Sequence, residues 1–297
     1  MPRITKVPTN AEYKVLLENY KSAGKSTLDA YRNNYYKMFS ALDGLEIHTV
    51  SEKTIIDAVN ELDIKNVNTK SALLNIAVVV RKMPDYQLGT AKIVAEREKL
   101  RDAIVSHTKD KNDEINLPSY EDIVNHMNQQ YEDENYRGYI INYLLIHFQT
   151  RNQDLNFKIV RTKKEMNDES QNYLWLNVRT NTVLYWRNIY KTNKSYSTLK
   201  HEITDKKFIK SLKAITKLQN AGHKDGVFIK NISSLATYVI SYTLDKIGEG
   251  KYVKIVINHF KDDLQTLKQI SKNRGTSIET LLAFYDIEKN NKPKKNL

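Results

Sequence analysis

Few residues in this chain combine a reactive type with a telling spacing. The stretch from Leu267 to Tyr285 reads LKQISKNRGTSIETLLAFY. Leu267 and Ile270 fall at helical spacing, Gly275 breaks the pattern, and Ile278, Leu281, Leu282 and Tyr285 then share one face of a second helix. Gly275 permits a positive φ in the turn, and Thr276 or Ser277 is placed to N-cap that second helix. Tyr285 is thereby a phenol carried on a short helix after a tight turn. A second constellation lies in HFQTRNQDL, His147 to Leu155, where an apolar helix ends. A guanidinium at a helix end, here Arg151, grips a phosphate through two parallel hydrogen bonds. Asp154, about one turn further on, stands where it could hold that guanidinium. A phenol nucleophile and an arginine point to phosphoryl transfer. The plainer readings are a tyrosine that packs on an apolar face and a surface Arg–Asp pair.

Composition narrows the partners. The 297 residues suffice for one large or two ordinary domains. A net charge of +12 favours a polyanionic partner, of which nucleic acid is the commonest. There is no cysteine, which excludes disulfides and thiolate metal sites, and no histidine pair has ligand spacing. No metal or other cofactor is expected. The start, MPRITKVPTN, lacks the apolar core of a signal peptide. The longest strongly apolar run, Tyr139 to Phe148, is too short to span a bilayer and contains Asn142 and His147. A site on a membrane is not expected; the protein is expected inside a cell, with its nucleic acid.

Periodicity supplies the framework around these residues. Helical spacing runs from Ala11 to Ala23, from Ser26 to about Leu42, after Ser51, from Thr69 to Lys82 with Pro84 behind it, and from about Leu88 to Ser106. Within it, Ala23-Gly24-Lys25-Ser26-Thr27 imitates the end of a phosphate-binding loop. Asn19 occupies the place of the required glycine, and no apolar strand leads in. The polar segment His107 to Pro118 reads as a linker. Ser119 and Asp122 then form a capping box, and Tyr136 to Gln149 is a helix apolar on most faces. After Arg151 the period shortens. Phe157 and Ile159, then Tyr173 to Val178, then Val183 to Ile189 predict three strands. Helices return at 206–218, 233–247 and 251–260, ahead of the closing stretch.

The closing stretch resembles the last box of the tyrosine recombinases, the phage-integrase family, usually L-K-x-I-S-x-x-L-G-H-S followed by a tyrosine. Leu267, Lys268, Ile270, Ser271, Gly275, Ser277 and Tyr285 match, while Arg274 replaces the leucine and Thr276 the histidine. The segment around Arg151 is similar to the family's first arginine box, T-G-L-R-x-x-E/D-L. Arg151, Asp154 and Leu155 are in register there, and Thr150 adjoins the arginine instead of preceding it by three. The family's β-hairpin lysine matches Lys191 in YKTNKSY, with Lys194 the second choice. Its H-x-x-R box matches Lys251-Tyr252-Val253-Lys254, with His259 nearby but out of register. Lysine at the first of those places resembles some archaeal viral members; lysine at the second lacks the planar fork. Solvated lysines on a turn and on an amphipathic helix are the plainer reading of both.

The resemblance covers roughly residues 10 to 286 and implies a mainly α chain with a small antiparallel β-sheet. It would comprise a helical N-terminal core-binding domain over 1–107, a linker over 108–118, an α+β catalytic domain over 119–286 and a basic tail over 287–297. It implies a metal-independent recombinase or integrase of viral or mobile-element type, acting on double-stranded DNA as a tetramer. Tyr285 would form a 3′-phosphotyrosyl bond, Arg151 and Lys254 would stabilise the phosphate oxygens, and Lys191 would protonate the leaving 5′ oxygen. Lys251 and Thr276 occupy the two histidine places, and neither side chain is an evident base. Two alternatives stay open: a DNA-binding relative with impaired catalysis, and a relaxing enzyme like the type IB topoisomerases.

Overall fold

The computed structural model describes residues 8–64, 66–113, 116–192, 197–220, 228 and 235–285, with 106–113 and 218–220 as backbone only. Lys194 and the expected basic tail, 287–297, lie outside the described residues. The chain divides into two units, Met1–Thr108 and Lys109–Leu297.

The first unit is helical: α1 (Ala11–Asn19), α2 (Lys25–Ala41), α3 (Glu52–Glu61), α4 (Val67–Arg81) and α5, which runs from Ala91 through the unit boundary to Asp113. The expected linker therefore opens as helix. Its first residues, HTKDKND, are polar but include no glycine or proline, and the first breaker is Pro118. Asn10, Ser51 and Asn66 cap α1, α3 and α4 with side-chain oxygens. α2 begins one residue before Ser26, at Lys25, with Gly24 at the N-cap place and no side-chain cap. Helix α4 is central, burying Leu73, Leu74, Ile76, Ala77 and Val80 against α2 and α3.

One buried carboxylate organises this core. Glu12 accepts from the Tyr35 hydroxyl at 2.7 Å, the amides of Ile47 and His48 at 2.9 and 2.7 Å, and His48 Nδ1 at 2.9 Å. Burial and the Glu12 bond push the Tyr35 hydroxyl pKa far up, so it remains a donor. Replacing Glu12 by Ala strips several buried donors of their acceptor at once. The expected loss is about 3 kcal/mol or more of the stability of this unit, read from denaturant unfolding of the full chain.

The second unit surrounds α7 (Tyr136–Phe148), whose residues from Gly138 to Ile146 are nearly all buried. α6 (Tyr120–Glu132), opened by the expected Ser119–Asp122 capping box, packs on it. So do α8 (Lys206–Asn220) and α10 (Glu249–His259). Asn142 is fully enclosed and satisfied: its amide donates to the carbonyls of Gly138 and Tyr242, each at 2.8 Å, and its oxygen accepts from Tyr252 at 2.8 Å. This polar triangle fixes α10 against α7. Short α9 (Leu235–Ile240) is succeeded by a 3-10 turn at Leu244–Lys246, where the sequence pattern predicts one long helix. α11 (Leu264–Arg274) and α12 (Ile278–Tyr285) complete the unit.

The fold is mainly helical with one small sheet, as expected, but the sheet is mixed. Its order is β1 (Phe157–Val160), β2 (Asn172–Asn177), β3 (Thr182–Arg187), β4 (Leu199–Ile203). β2, β3 and β4 are antiparallel, whereas β1 joins β2 in parallel. The polar segment between β1 and β2 acts as a crossover, returning the chain to the end from which β1 began. β4 escapes pattern reading because its inward face carries Leu199, His201 and Ile203, with a histidine between the two apolar residues and the exposed Lys200 and Glu202 on the other face. Among the described residues, no helix is long and apolar enough to cross a membrane.

Candidate active site

Two left-handed turns bring the chemistry together. The buried α7 ends at Gln149 with φ 44°, which redirects the chain into Arg151 and the 3-10 turn Asn152–Leu155. α11 ends at Gly275 with φ 57°, and Ser277 then accepts from the amide of Thr280 to cap α12. The two helix ends are clasped together: Asn273 donates its amide to Gln149 Oε1 at 3.0 Å, and Arg274 Nη1 donates to the Gln149 carbonyl at 3.1 Å.

Arg274 lies at i+4 from Ile270 and i+7 from Leu267, on the buried face of α11, so its head is carried inward. Nη1 also donates to Glu249 Oε1 at 2.9 Å, and Nη2 donates to the Tyr285 hydroxyl at 3.1 Å. The guanidinium centre stands 5.6 Å from the Tyr285 ring centroid. Glu249, in the first turn of α10, reaches the arginine box too, since its Oε2 accepts from the Asn152 amide at 3.1 Å.

Arg151 faces the same group. Burial, then the Arg274 charge, pull its guanidinium pKa below the usual value. Asp154, Glu249 and the Tyr285 phenol lie close enough to oppose that shift. Its Nη1 is buried without a hydrogen-bond partner. Asp154 does not grip this guanidinium as the spacing suggests. Its Oδ2 accepts from the Arg151 backbone amide at 3.1 Å and from Arg187 Nη1 at 3.2 Å. The physical reason is that the carboxylate folds back to cap the 3-10 turn and points into the core, where β3 delivers a second arginine. That leaves the head of Arg151 to the phenol side.

Arg187 is wholly enclosed. Its Nη2 donates to His201 Nε2 at 3.2 Å. Arginine only donates, so the imidazole is the acceptor and is neutral. Burial first, then the charges of Arg187 and Lys272, lower the His201 pKa from 6.5 to about 4.

The structure sorts the remaining candidates. Lys191 is exposed on the turn after β3, between the two antiparallel strands β3 and β4. Its neighbours press on the glycine turn: a Cβ on Gly275 would lie 2.0 Å from Thr192 Oγ1 and 3.2 Å from the Tyr190 ring. Lys191 is thus brought beside the Gly275 turn. Thr276 is half-buried there, its carbonyl accepting from the Ser271 hydroxyl. Lys251 is exposed on α10, and Lys254 is half-buried, with burial and then Lys251 lowering its pKa. The residue bonded to the phenol is Arg274, a mismatch when set against the family motif. Its apolar-face spacing is the signal by which the sequence marks it. Glu249, Arg187 and His201 carry no such signal.

No protein-family model matches the sequence, and no curated protein sequence matches it. Among solved structures, the crystal structure of XerA recombinase aligns with 93% of this chain and 93% of its own at 12% identity, with a TM-score of 0.38. That likeness is too slight to carry function, which rests on the side chains themselves.

Two measurements check this geometry. His201 is neutral when folded down to about pH 4, while its unfolded counterpart takes a proton below about 6.5. Stability is then full above that upper value and falls as pH drops toward the lower, by up to about 3 kcal/mol. Urea midpoints against pH should show this step in the wild type and lose it in His201→Gln, which keeps an acceptor for Arg187. Gly275→Ala, at positive φ and against Thr192, should lower stability by about 2 kcal/mol. Gly250→Ala, with nothing within 4 Å, serves as its control in thermal unfolding.

Proposed function

We propose that this chain cuts and rejoins DNA strands through a phosphotyrosine, as a tyrosine recombinase does. The observation that carries the reading is a cationic cluster assembled from segments remote in sequence, in which Arg274 bonds the Tyr285 phenol and Arg151, within electrostatic reach of both, has an unpartnered nitrogen. In the reaction, Tyr285 Oη forms a bond to a backbone phosphorus while the bond from phosphorus to the 5′ oxygen breaks. The leaving oxygen takes a proton from the Lys191 ammonium, and the phenolic proton passes to water. Arg151, and a second cation for which the sequence resemblance offers Lys254, stabilise the non-bridging oxygens. Lys251 and Thr276, which the sequence resemblance sets at the two histidine places, are not assigned as bases in this reading: lysine is mostly protonated at neutral pH. Conserving the bond energy in the phosphotyrosyl ester permits rejoining without a cofactor.

The partner in this reading is duplex DNA, with the helical unit over 1–107 and the catalytic unit over 119–286 both contributing contacts and protomers acting as a tetramer. The net charge of +12 supports a phosphate-tracking surface, with binding that weakens steeply with salt.

A nicked suicide duplex tests it. Wild-type protein should give a denaturant-stable protein–DNA adduct, Tyr285→Phe none, and Arg151→Ala about 100-fold less. Strand exchange between two sites, without relaxation of an arbitrary supercoiled circle, is the expected outcome for a recombinase. DNA binding without any adduct in the wild type would leave a DNA-binding protein that does not cut.

A further inference from the structure

We propose that Arg274, from the end of α11, is the second guanidinium of this site, in the role that sequence order assigns to Lys254. The inference rests on the strand-cleavage reading and specifies which side chain completes it.

Contact comes first. Arg274 Nη2 donates to the Tyr285 oxygen at 3.1 Å, so the group touches the proposed nucleophile itself. Anchoring comes second. Both the Gln149 carbonyl and Glu249 are met by Nη1, which holds the head from behind and leaves Nη2 directed at the reacting atom. A group fixed in this way needs no reorganisation as charge develops.

Charge balance comes third. Arg151 and Arg274 repel as like charges, and the carboxylate bonded to Arg274, Glu249, compensates one of them. An anion with several oxygens, such as a phosphodiester, fits the remaining imbalance and offers an acceptor to the unpartnered Arg151 Nη1. Lys254 suits that place less well. Burial and Lys251 weaken its charged form, and an ammonium lacks the planar fork that serves two oxygens. As Tyr285 Oη bonds to phosphorus and the bond to the 5′ oxygen breaks, Arg274 Nη2 stabilises the phenolate oxygen entering the bond. Arg274 and Arg151 then share the charge of the two non-bridging oxygens.

The nicked suicide duplex reads this out for wild type, Arg274→Ala, Arg274→Lys and Lys254→Ala, with thermal unfolding and DNA affinity measured beside each. Both Arg274 variants should form adduct about 100-fold more slowly or worse, and the loss in Lys254→Ala should be the smaller. A second substrate carries a methylphosphonate at the cleaved linkage, which removes the negative charge there. On it the Arg274→Ala deficit should shrink sharply, a rescue that a misfolded variant would not show. If Arg274→Ala does not fold, Arg274→Lys on the two substrates decides. A folded Arg274 variant that cleaves at the wild-type rate overturns the inference, as does a deficit equal on both substrates. A wild type that binds DNA but forms no adduct overturns the strand-cleavage reading instead, and the inference with it.

Discussion

The second unit depends on one buried guanidinium. Arg274 is 4% exposed, and a charge so enclosed is tolerable only where its donors meet acceptors. Those acceptors come from three separate elements: the Gln149 carbonyl ending α7, Glu249 opening α10, and the Tyr285 phenol at the end of α12. The interaction is both a structural rivet and the means by which a phenol on a short terminal helix acquires a defined position.

The rivet forms because the backbone delivers its pieces at helix ends. α7 can be buried along most of its length since Asn142 is satisfied within the core, and its left-handed end at Gln149 redirects the chain so that Arg151 lies near Arg274 and Tyr285. α11 stops at Gly275, where Thr192 and Tyr190 press so closely that a β-carbon would not fit. The same close approach carries the Lys191 turn to the glycine turn. One missing side chain thus serves two segments, and the parts that bear chemistry are all held at the termini of well-packed helices.

Much of this is legible in the sequence, for identifiable reasons. The helices of the first unit arise from apolar spacing and breakers, and the closing helix–turn–helix from Gly275 between two apolar stripes. Asp154 departs from expectation because i,i+3 spacing says only that two side chains can meet. It is silent about a third partner, and Arg187 comes from a strand beyond β1 and β2. Strand β4 is hidden because the middle one of its three inward residues is a histidine, which interrupts the apolar alternation. The parallel seating of β1 is a matter of crossover and leaves no local mark. Arg274 is visible and easily misread: judged against a motif it is a departure, whereas judged by periodicity it is a charged residue on a buried face. A buried charge demands partners.

That demand separates arginines that resemble one another in composition. Arg187 is enclosed completely and bonds a carboxylate and a neutral imidazole through its two Nη atoms, with its Nε left without a partner, and its work is to hold β3 and β4 to the arginine turn. Arg151 and Arg274 repel each other; Glu249 bonds Arg274, Asp154 lies near Arg151 but is bonded to Arg187, and a nitrogen of Arg151 remains without an acceptor. Three guanidiniums, Arg151, Arg187 and Arg274, beside two carboxylates, Asp154 and Glu249, leave an excess of positive charge that raises the energy of the free protein. An arrangement of that kind is stabilised by a bound anion in proportion to the charge left unanswered. On the strand-cleavage reading proposed above, for a chain of net charge +12 with a phenol at the same point, that anion is a DNA phosphate.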